Sequence, residues 1–403
     1  MFLNFAQMEK ETLRLTVLFE SDAFDRKGLF NAVHGRIRAL QASGGCTVEA
    51  WCIQCRDSFL SRRIRHTVRA PRTDSVTIDG ICYHLLWYRF SILDWLAVEK
   101  LHCRPFFFGR FLKRAAPRLS VGDLIAAHSL SGGLLARELS KRSGVPYYIT
   151  WHGSDIHTRP GRNPLIRKET EALTAAATGN FYVSRALMEA SAPFPGRKYL
   201  LRNGVDERFR PHSEEERKKL RARYELPAEC KVVAYAGHFF PVKNTRTLPA
   251  IWREVRNRYD DALVFWLIGD GKEAPDVRRA LDAAPALPWV DLGNRTPEEM
   301  PLLLQCVDVL VLPSHNEGLP LVAMEALSCG CHVVAARVGG LPEILEERDT
   351  VAHGPGFAER MATRVAECLS EPGRLAPTQD FSWAETARTE LEIYRKCLNC
   401  REE

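Results

Sequence analysis

Short apolar runs alternate along this chain with stretches whose apolar residues recur at helical spacing. Residues Arg14–Phe19 read as a first strand, followed by a polar turn from Glu20 to Gly28. An apolar-periodic helix over Leu29–Leu40 and a second strand over Cys46–Ile53 come next. Asp123–Ala127 and Tyr147–Thr150 are predicted strands on either side of a helix at Gly132–Ser143, and Phe181–Val183 adds another. A second set begins at Lys231–Ala236 and continues with Leu263–Ile268, Trp289–Leu292, Val307–Leu312 and His332–Ala335. Runs without polar alternation suit strands covered on both faces, as in parallel sheets. Strand–helix alternation of this kind predicts an α/β chain with a doubly wound parallel sheet, here built twice. Turn residues at Phe194-Pro-Gly196 interrupt the pattern, so the predicted domains are 1–196 and 197–380, with a last helix over 381–403. A length of 403 residues exceeds one ordinary core and agrees with two.

The densest chemistry lies at Leu312-Pro-Ser-His-Asn-Glu-Gly-Leu-Pro-Leu-Val-Ala-Met-Glu-Ala-Leu-Ser-Cys-Gly330. A polar turn, Pro313 to Gly318, follows the predicted strand, and Pro320 suits the first helical position, where a missing N–H is tolerated. The backbone N–H groups from Gly318 through Leu319 to Leu321 are then available at a strand's carboxyl end to hold an anion such as a diphosphate. Glu317 stands in the turn, and Glu325 lies about 7–8 Å along the helix axis from Pro320 at ~1.5 Å per residue. One carboxylate can take sugar hydroxyls and the other a ribose diol, which is the chemistry of a sugar-nucleotide site. Lys243 follows the strand Lys231–Ala236 and the turn at Gly237, where a point charge can neutralise a departing diphosphate. His152 follows Tyr147–Thr150 and precedes Gly153, a residue that lets backbone approach a ligand closely. His128 ends another strand. Asp155 fits either a ligand contact or a helix cap, and Asn203-Gly204 either a cleft wall or a turn.

Glu317 and Glu325, followed by Ala326-Leu-Ser-Cys-Gly330 and Gly339-Gly-Leu-Pro-Glu343, resemble the signature of retaining glycosyltransferases of family 4. Trp151-His-Gly-Ser-Asp155, Arg202-Asn-Gly-Val-Asp206, Ala236-Gly-His-Phe-Phe-Pro-Val-Lys-Asn244 and Ile268-Gly-Asp-Gly271 resemble further motifs of that family, in the family's order. The resemblance implies the GT-B fold: two Rossmann-like domains facing a cleft, acceptor on the first and donor on the second. It also implies that the segment from Phe381 to Cys397 crosses back to the first domain. The implied reaction moves a sugar from a nucleotide-diphosphate sugar to a hydroxyl of a saccharide or lipid-linked acceptor, with retention and with neither cofactor nor metal.

The catalytic residues implied are His152, bordering the reacting sugar carbon, Lys243 at the diphosphate and Glu317 at the transferred sugar. Donor binding is implied for Gly28, Gly237, His238, Lys243, Asn294, Arg295, Glu317, Gly318, Leu319, Pro320, Leu321 and Glu325. His128, Asp155 and Asn203 are the acceptor-side candidates. The family carries an arginine where this chain has His238, a proline where it has Cys331, and often two glycines around Gly28. Paired carboxylates also serve glycoside hydrolases, but there they flank a scissile bond, whereas these two share one helix start. The other readings are a non-catalytic GT-B subunit supporting a partner enzyme, which His238 favours, and a nucleotide-sugar epimerase.

Composition sets the surroundings. At 45% hydrophobic and 26% charged, the chain reads as a soluble globular protein. No stretch approaches the roughly 18 uninterrupted apolar residues of a membrane span, and Met1 to Arg14 lacks the apolar core of a secretory signal. The expected place is the cytoplasm, and the resemblance to family 4 implies a role in assembly of a bacterial surface polysaccharide or glycolipid. Charge is uneven: Lys, Arg, Asp and Glu sum to about +12 over residues 1–200 and about −6 over 201–403, giving the overall +6. The excess gathers in Arg56 to Arg72 and Arg104 to Arg118. In the second stretch bases interleave with Phe106, Phe107, Phe108 and Phe111, which fits docking on an anionic membrane surface or a core-packing helix with a solvated basic face. No nucleic-acid-binding motif accompanies these bases. Of 12 cysteines, Cys52/Cys55 and Cys397/Cys400 form CxxC pairs too far apart for an ordinary zinc site. Cys46, Cys82, Cys230, Cys306, Cys329 and Cys331 read as small core residues, with no disulfide expected.

Overall fold

The computed structural model describes residues 12–26, 28–57, 71, 73–284, 286–371 and 380–402. Most of the basic stretch Arg56–Arg72, residues 1–11 and the side chain of Cys400 lie outside the described residues. The chain forms two compact units, Met1–Gly204 with Trp383–Glu403, and Val205–Ser382.

In the first unit the strands are β1 (Leu13–Glu20), β2 (Cys46–Asp57), β3 (Ser75–Ile78), β4 (Ile81–Phe90), β5 (Leu124–His128), β6 (Tyr147–Trp151), β7 (Gly179–Tyr182) and β8 (Lys198–Leu200). Its helices are α1 (Gly28–Ala42), α2 (Ile92–Glu99), α3 (Phe106–Ala115), α4 (Ser129–Ser143), α5 (Thr158–Arg162), α6 (Pro164–Ala176) and α7 (Arg185–Ala190), joined by the terminal helix Trp383–Glu402. The sheet runs β3-β4-β2-β1-β5-β6-β7-β8, parallel except for β3. The hairpin β3–β4 is absent from the periodicity reading. Asp79 and Gly80, both at positive φ, make the two-residue turn that closes it. Strand order reverses between β1 and β5, the point where ligands of such sheets bind. Ala387, Leu391 and Tyr394 of the terminal helix share a core with Val33, Ile37 and Leu40 of α1.

The unit boundary falls at Gly204 and not near residue 196, because Lys198–Leu200 pairs with β7 and extends the first sheet. Turn residues at Phe194-Pro-Gly196 therefore mark a loop inside the unit. The basic-aromatic stretch becomes α3, whose Phe108 packs edge-on to Tyr88 at 5.0 Å, while Arg110, Lys113 and Arg114 are exposed.

The second unit contains β9 (Lys231–Ala236), β10 (Leu263–Ile268), β11 (Trp289–Gly293), β12 (Val309–Leu312), β13 (His332–Ala336) and β14 (Thr350–Val351). Between and around them run α8 (Glu214–Arg223), α9 (Leu248–Arg258), α10 (Ala274–Asp282), α11 (Met300–Cys306), α12 (Leu321–Ser328) and α13 (Phe357–Ser370). The strand order is β11-β10-β9-β12-β13-β14, parallel throughout, with the reversal between β9 and β12. Trp252 of α9 stacks on Phe265 of β10 at 4.8 Å in the buried core.

The 11 described cysteines are free. Cys82 is exposed, against the core position expected for it, since it points away from the face on which its neighbour Tyr83 is buried. No helix among the described residues is long and apolar enough to cross a membrane.

Candidate active-site residues in the two units

In the second unit the reversal of strand order makes β9 and β12 neighbours, so the loops that follow them meet. Lys243 comes from the first loop and Glu317 from the second. The Lys243 ammonium Nζ donates to both Glu317 carboxylate oxygens, at 2.8 and 2.7 Å, and Ser314 Oγ donates to Glu317 Oε1 at 2.7 Å. Asn244, in the left-handed region at φ 53°, ends the single turn Pro241–Lys243, and its Nδ2 donates to the Pro313 carbonyl at 3.1 Å. The His315 N–H donates to the Val242 carbonyl at 2.8 Å, a second tie between the loops.

The glycine pair after β13 seats this turn. Gly339 has φ 54°, and a Cβ there would lie 1.8 Å from the Glu317 carbonyl oxygen; Gly340 N–H donates to the Gly318 carbonyl at 2.9 Å. Pro320 has extended ψ and caps α12 from outside, so the helix begins at Leu321, one residue later than expected. Leu319 is buried beneath the turn.

Glu325 lies on α12 and is partly accessible. Desolvation, then the nearby Asp206 carboxylate, push its carboxyl up to about 7, with Arg208 opposing. Arg208 in turn donates to Asp206 at 2.8 Å. His238 is half-buried beside Phe240, and its carbonyl accepts the Tyr235 hydroxyl at 2.7 Å. Gly237 and Gly269 touch backbone to backbone: a Cβ on Gly269 would lie 2.0 Å from the Gly237 oxygen. Asn294 and Arg295 are exposed after β11. Arg295 turns back onto the Leu292 carbonyl and Glu299, so the structure does not bring it to the Lys243–Glu317 pair.

In the first unit His128 ends β5 and His152 follows β6, adjacent parallel strands. Their rings meet at 3.1 Å between His128 Nδ1 and His152 Nε2. Burial, then the Arg36 guanidinium, hold His152 down to about 3. The same two causes, with His152 added, hold His128 well below the usual imidazole range. Both rings are therefore neutral at physiological pH, one donating to the other. Ser129, immediately after His128, takes φ 62°, a strained geometry of the kind found at working sites.

Asp155 is buried and accepts the Gly153 N–H at 2.9 Å, a local turn and not a helix cap. Desolvation raises its carboxyl. Asn203 is buried, with Oδ1 lacking a hydrogen-bond partner among the described residues. Gly28 opens α1 with open space around its Cα.

Sequence reading gave no role to Arg36 or Glu390. Arg36 Nη1 donates to Thr150 Oγ1 at 2.7 Å, and Nε lies 3.4 Å from Glu390 Oε2 on the terminal helix. The Tyr394 hydroxyl donates to Glu390 Oε1 at 2.5 Å. A signal existed: Arg36 falls on the same helical stripe as Val33, Ile37 and Leu40, and Glu390 beside Ala387, Leu391 and Tyr394. A charge on an apolar stripe needs a buried partner. Ser314 and Asp206 stood inside quoted motifs but were assigned nothing.

This geometry can be set beside known proteins. Residues 230–371 match the model of a family described as Glycosyl transferases group 1. A D-inositol 3-phosphate glycosyltransferase of Saccharomonospora viridis is 33% identical over 311 residues, 68% of this chain and 70% of the relative. Its counterpart in Rhodococcus jostii is 31% identical over 307 residues, 68% of this chain and 66% of the relative. Among solved structures, Anabaena HepE in complex with UDP and glucose superposes with a TM-score of 0.70 at 17% identity, covering 95% of this chain and 100% of that one. Sucrose-phosphate synthase from Thermosynechococcus elongatus gives 0.68 at 17% identity, covering 96% and 100%. The chain belongs to the group 1 glycosyl transferases and is a glycosyltransferase of the GT-B fold.

Proposed function

We propose that this glycosyltransferase moves a sugar from a nucleotide-diphosphate sugar to a hydroxyl of a saccharide or lipid-linked acceptor, with retention of configuration and without a divalent metal. The observation that carries the reading is the Lys243–Glu317–Ser314 cluster at the start of α12, with Glu325 on the same helix. A diphosphate seated at the first N–H groups of that helix meets a fixed cation, Lys243, as its charge develops. It competes with Glu317 for the ammonium and frees the carboxylate for hydroxyls of the transferred sugar. Glu325 takes the ribose diol. On the first unit His152 acts as a neutral group, adding no cation against an oxocarbenium-like sugar.

The step is front-face. The acceptor oxygen bonds to the anomeric carbon as the carbon–oxygen bond to phosphate breaks, and the leaving phosphate takes the acceptor's proton. The biological setting that fits is assembly of a surface polysaccharide or glycolipid at the inner face of a bacterial membrane.

A thermal-shift panel of UDP-, GDP-, ADP- and TDP-sugars with a chelator present, repeated on Glu325→Ala, tests the donor half. UDP-sugars come first because HepE is seen with UDP and glucose. Selective stabilisation that the substitution abolishes supports the reading, and the product's anomeric coupling in NMR then reads retention. No stabilisation of folded protein by any donor moves the argument to a non-catalytic subunit, the alternative that His238 in place of arginine favours.

A further inference from the structure

We propose that the first unit contains a lipid-phosphate site: a cavity lined by α2, α3, α4 and α6 takes the apolar chain of an amphipathic acceptor, and bases around it take the adjoining phosphate. The inference rests on the glycosyl-transfer reading and narrows its acceptor class. The cavity has a volume of about 950 Å³ and is lined wholly by first-unit residues. It lies at the carboxyl edge of the sheet, since Glu20 ends β1, Phe90 ends β4 and Leu130 follows β5. That edge is where doubly wound sheets hold ligands.

Its walls come from several elements. Trp95 and Val98 belong to α2, Leu112 to α3, Leu134 to α4 and Leu165 to α6. Tyr88 and Phe108, packed edge-on, make a further aromatic surface. Phe106 also lines the cavity yet is 66% exposed, a large apolar side chain left at its mouth. A concave apolar space drawn from four helices suits an inserted chain better than a flat contact.

Charge supplies the second half of the argument. Arg104 and Arg137 share the single buried carboxylate of Glu169, so two guanidiniums face one anion. Arg110, Lys113 and Arg159 line the cavity as well and are exposed. Four acids line it too: Glu169 between its two arginines, Glu20, which accepts the Tyr88 hydroxyl, Glu138, 3.6 Å from Lys141 outside the lining, and the exposed Glu99. Five bases against four acids leave one cation over, and three of the bases, Arg110, Lys113 and Arg159, lie exposed beside an aliphatic wall, which matches a phosphate joined to a hydrocarbon chain.

Octyl phosphate, used as monomer, is the probe, with inorganic phosphate and octyl glucoside as the head-only and tail-only controls. Calorimetry on the whole chain is expected to show one octyl phosphate bound, at least about tenfold more tightly than either control. Leu134→Trp fills the cavity, and Arg110→Glu with Lys113→Glu reverses two exposed charges; each is expected to weaken octyl phosphate about tenfold. Circular dichroism and a cooperative melt of the same variants report their folding. Equal affinity for the three probes, unchanged affinity in both variants, or binding to anionic vesicles alone would overturn the site. Octyl phosphate binding with no donor stabilisation in the parent chain would instead overturn the transfer reading and leave the site standing.

Discussion

The two units handle charge in opposite ways. Around His152 the first unit seals it: Arg36 and Glu390 are 1% and 0% exposed, and both imidazoles are held neutral. Around Lys243 the second unit keeps it reachable, the lysine side chain being 26% exposed while bound to Glu317. Sealed charges cannot change partners without unfolding their surroundings, so they set geometry. Reachable ones can exchange a carboxylate for a phosphate, which is what transfer of a phosphate-activated sugar asks of them. The apparent symmetry of two Rossmann-like halves thus conceals a division between holding and exchanging.

Breaking the sealed pair should have the largest effect. Glu390→Ala leaves the Arg36 guanidinium buried without its carboxylate and should cost about 3–5 kcal/mol of first-unit stability in denaturant melts. Removing both partners with Arg36→Met and Glu390→Leu should cost less than the single change, because no orphan charge remains. A double variant worse than the single one would mean the pair is not the stabilising feature. On the exchanging side, Lys243→Ala should lower kcat by about 10²–10³-fold with little change in melting temperature, measured in a transfer assay. Equal loss of stability would make Lys243 structural.

The pH dependences should carry opposite signs. Glu325 titrates at about 7 when folded against 4.5 as its ordinary value, so the folded state keeps a proton that the unfolded chain gives up. Stability at this site therefore falls as pH rises from about 4.5 through 7. Glu325→Gln should raise stability by roughly 2 kcal/mol at pH 8 and by nothing near pH 4. His152 is depressed to about 3 from 6.5, so the unfolded chain binds the extra proton and stability falls as pH drops from 6.5 toward 3. The cost should reach up to about 2 kcal/mol by pH 5, and His152→Phe should remove it from the melting profile. A shared sign for both sites would erase the contrast.

The smallest effect is the most specific. If a ribose diol donates to Glu325, the bound carboxylate ionises, and donor binding at pH 7 should release about half a proton. Calorimetry in buffers of different ionisation enthalpy reads that number, and a buffer-independent enthalpy would remove Glu325 from the ribose.

Much of this was legible in the chain itself. The apolar runs locate the parallel strands of both sheets because a strand covered on two faces has no polar alternation to disguise it. The β3–β4 hairpin is not legible in periodicity, although Asp79-Gly80 is a strong turn pair, because β3 is a four-residue edge strand with no buried side chain to mark it. Lys198–Leu200 was missed because three residues hold too little pattern to register as a strand. In the second unit Glu317, Glu325 and Lys243 could all be picked out along the chain. Their partners could not. Ser314 stands three residues from Glu317, but the approach of Asp206 to Glu325 spans more than a hundred positions and follows from folding alone.

What the sequence determined by itself is local: periodicity fixes strand or helix, glycine marks where a turn or close backbone approach is needed, and the two glutamates fall around one helix start. What only the tertiary structure decided is which of these pieces touch. The reversal of strand order placed Lys243 on Glu317, and the return of the terminal helix placed Glu390 on Arg36. Backbone preferences act over a few residues and are written into each short segment. Burial and charge act across space, and their sum sets the protonation of His152 and Glu325 only when distant segments have closed around them.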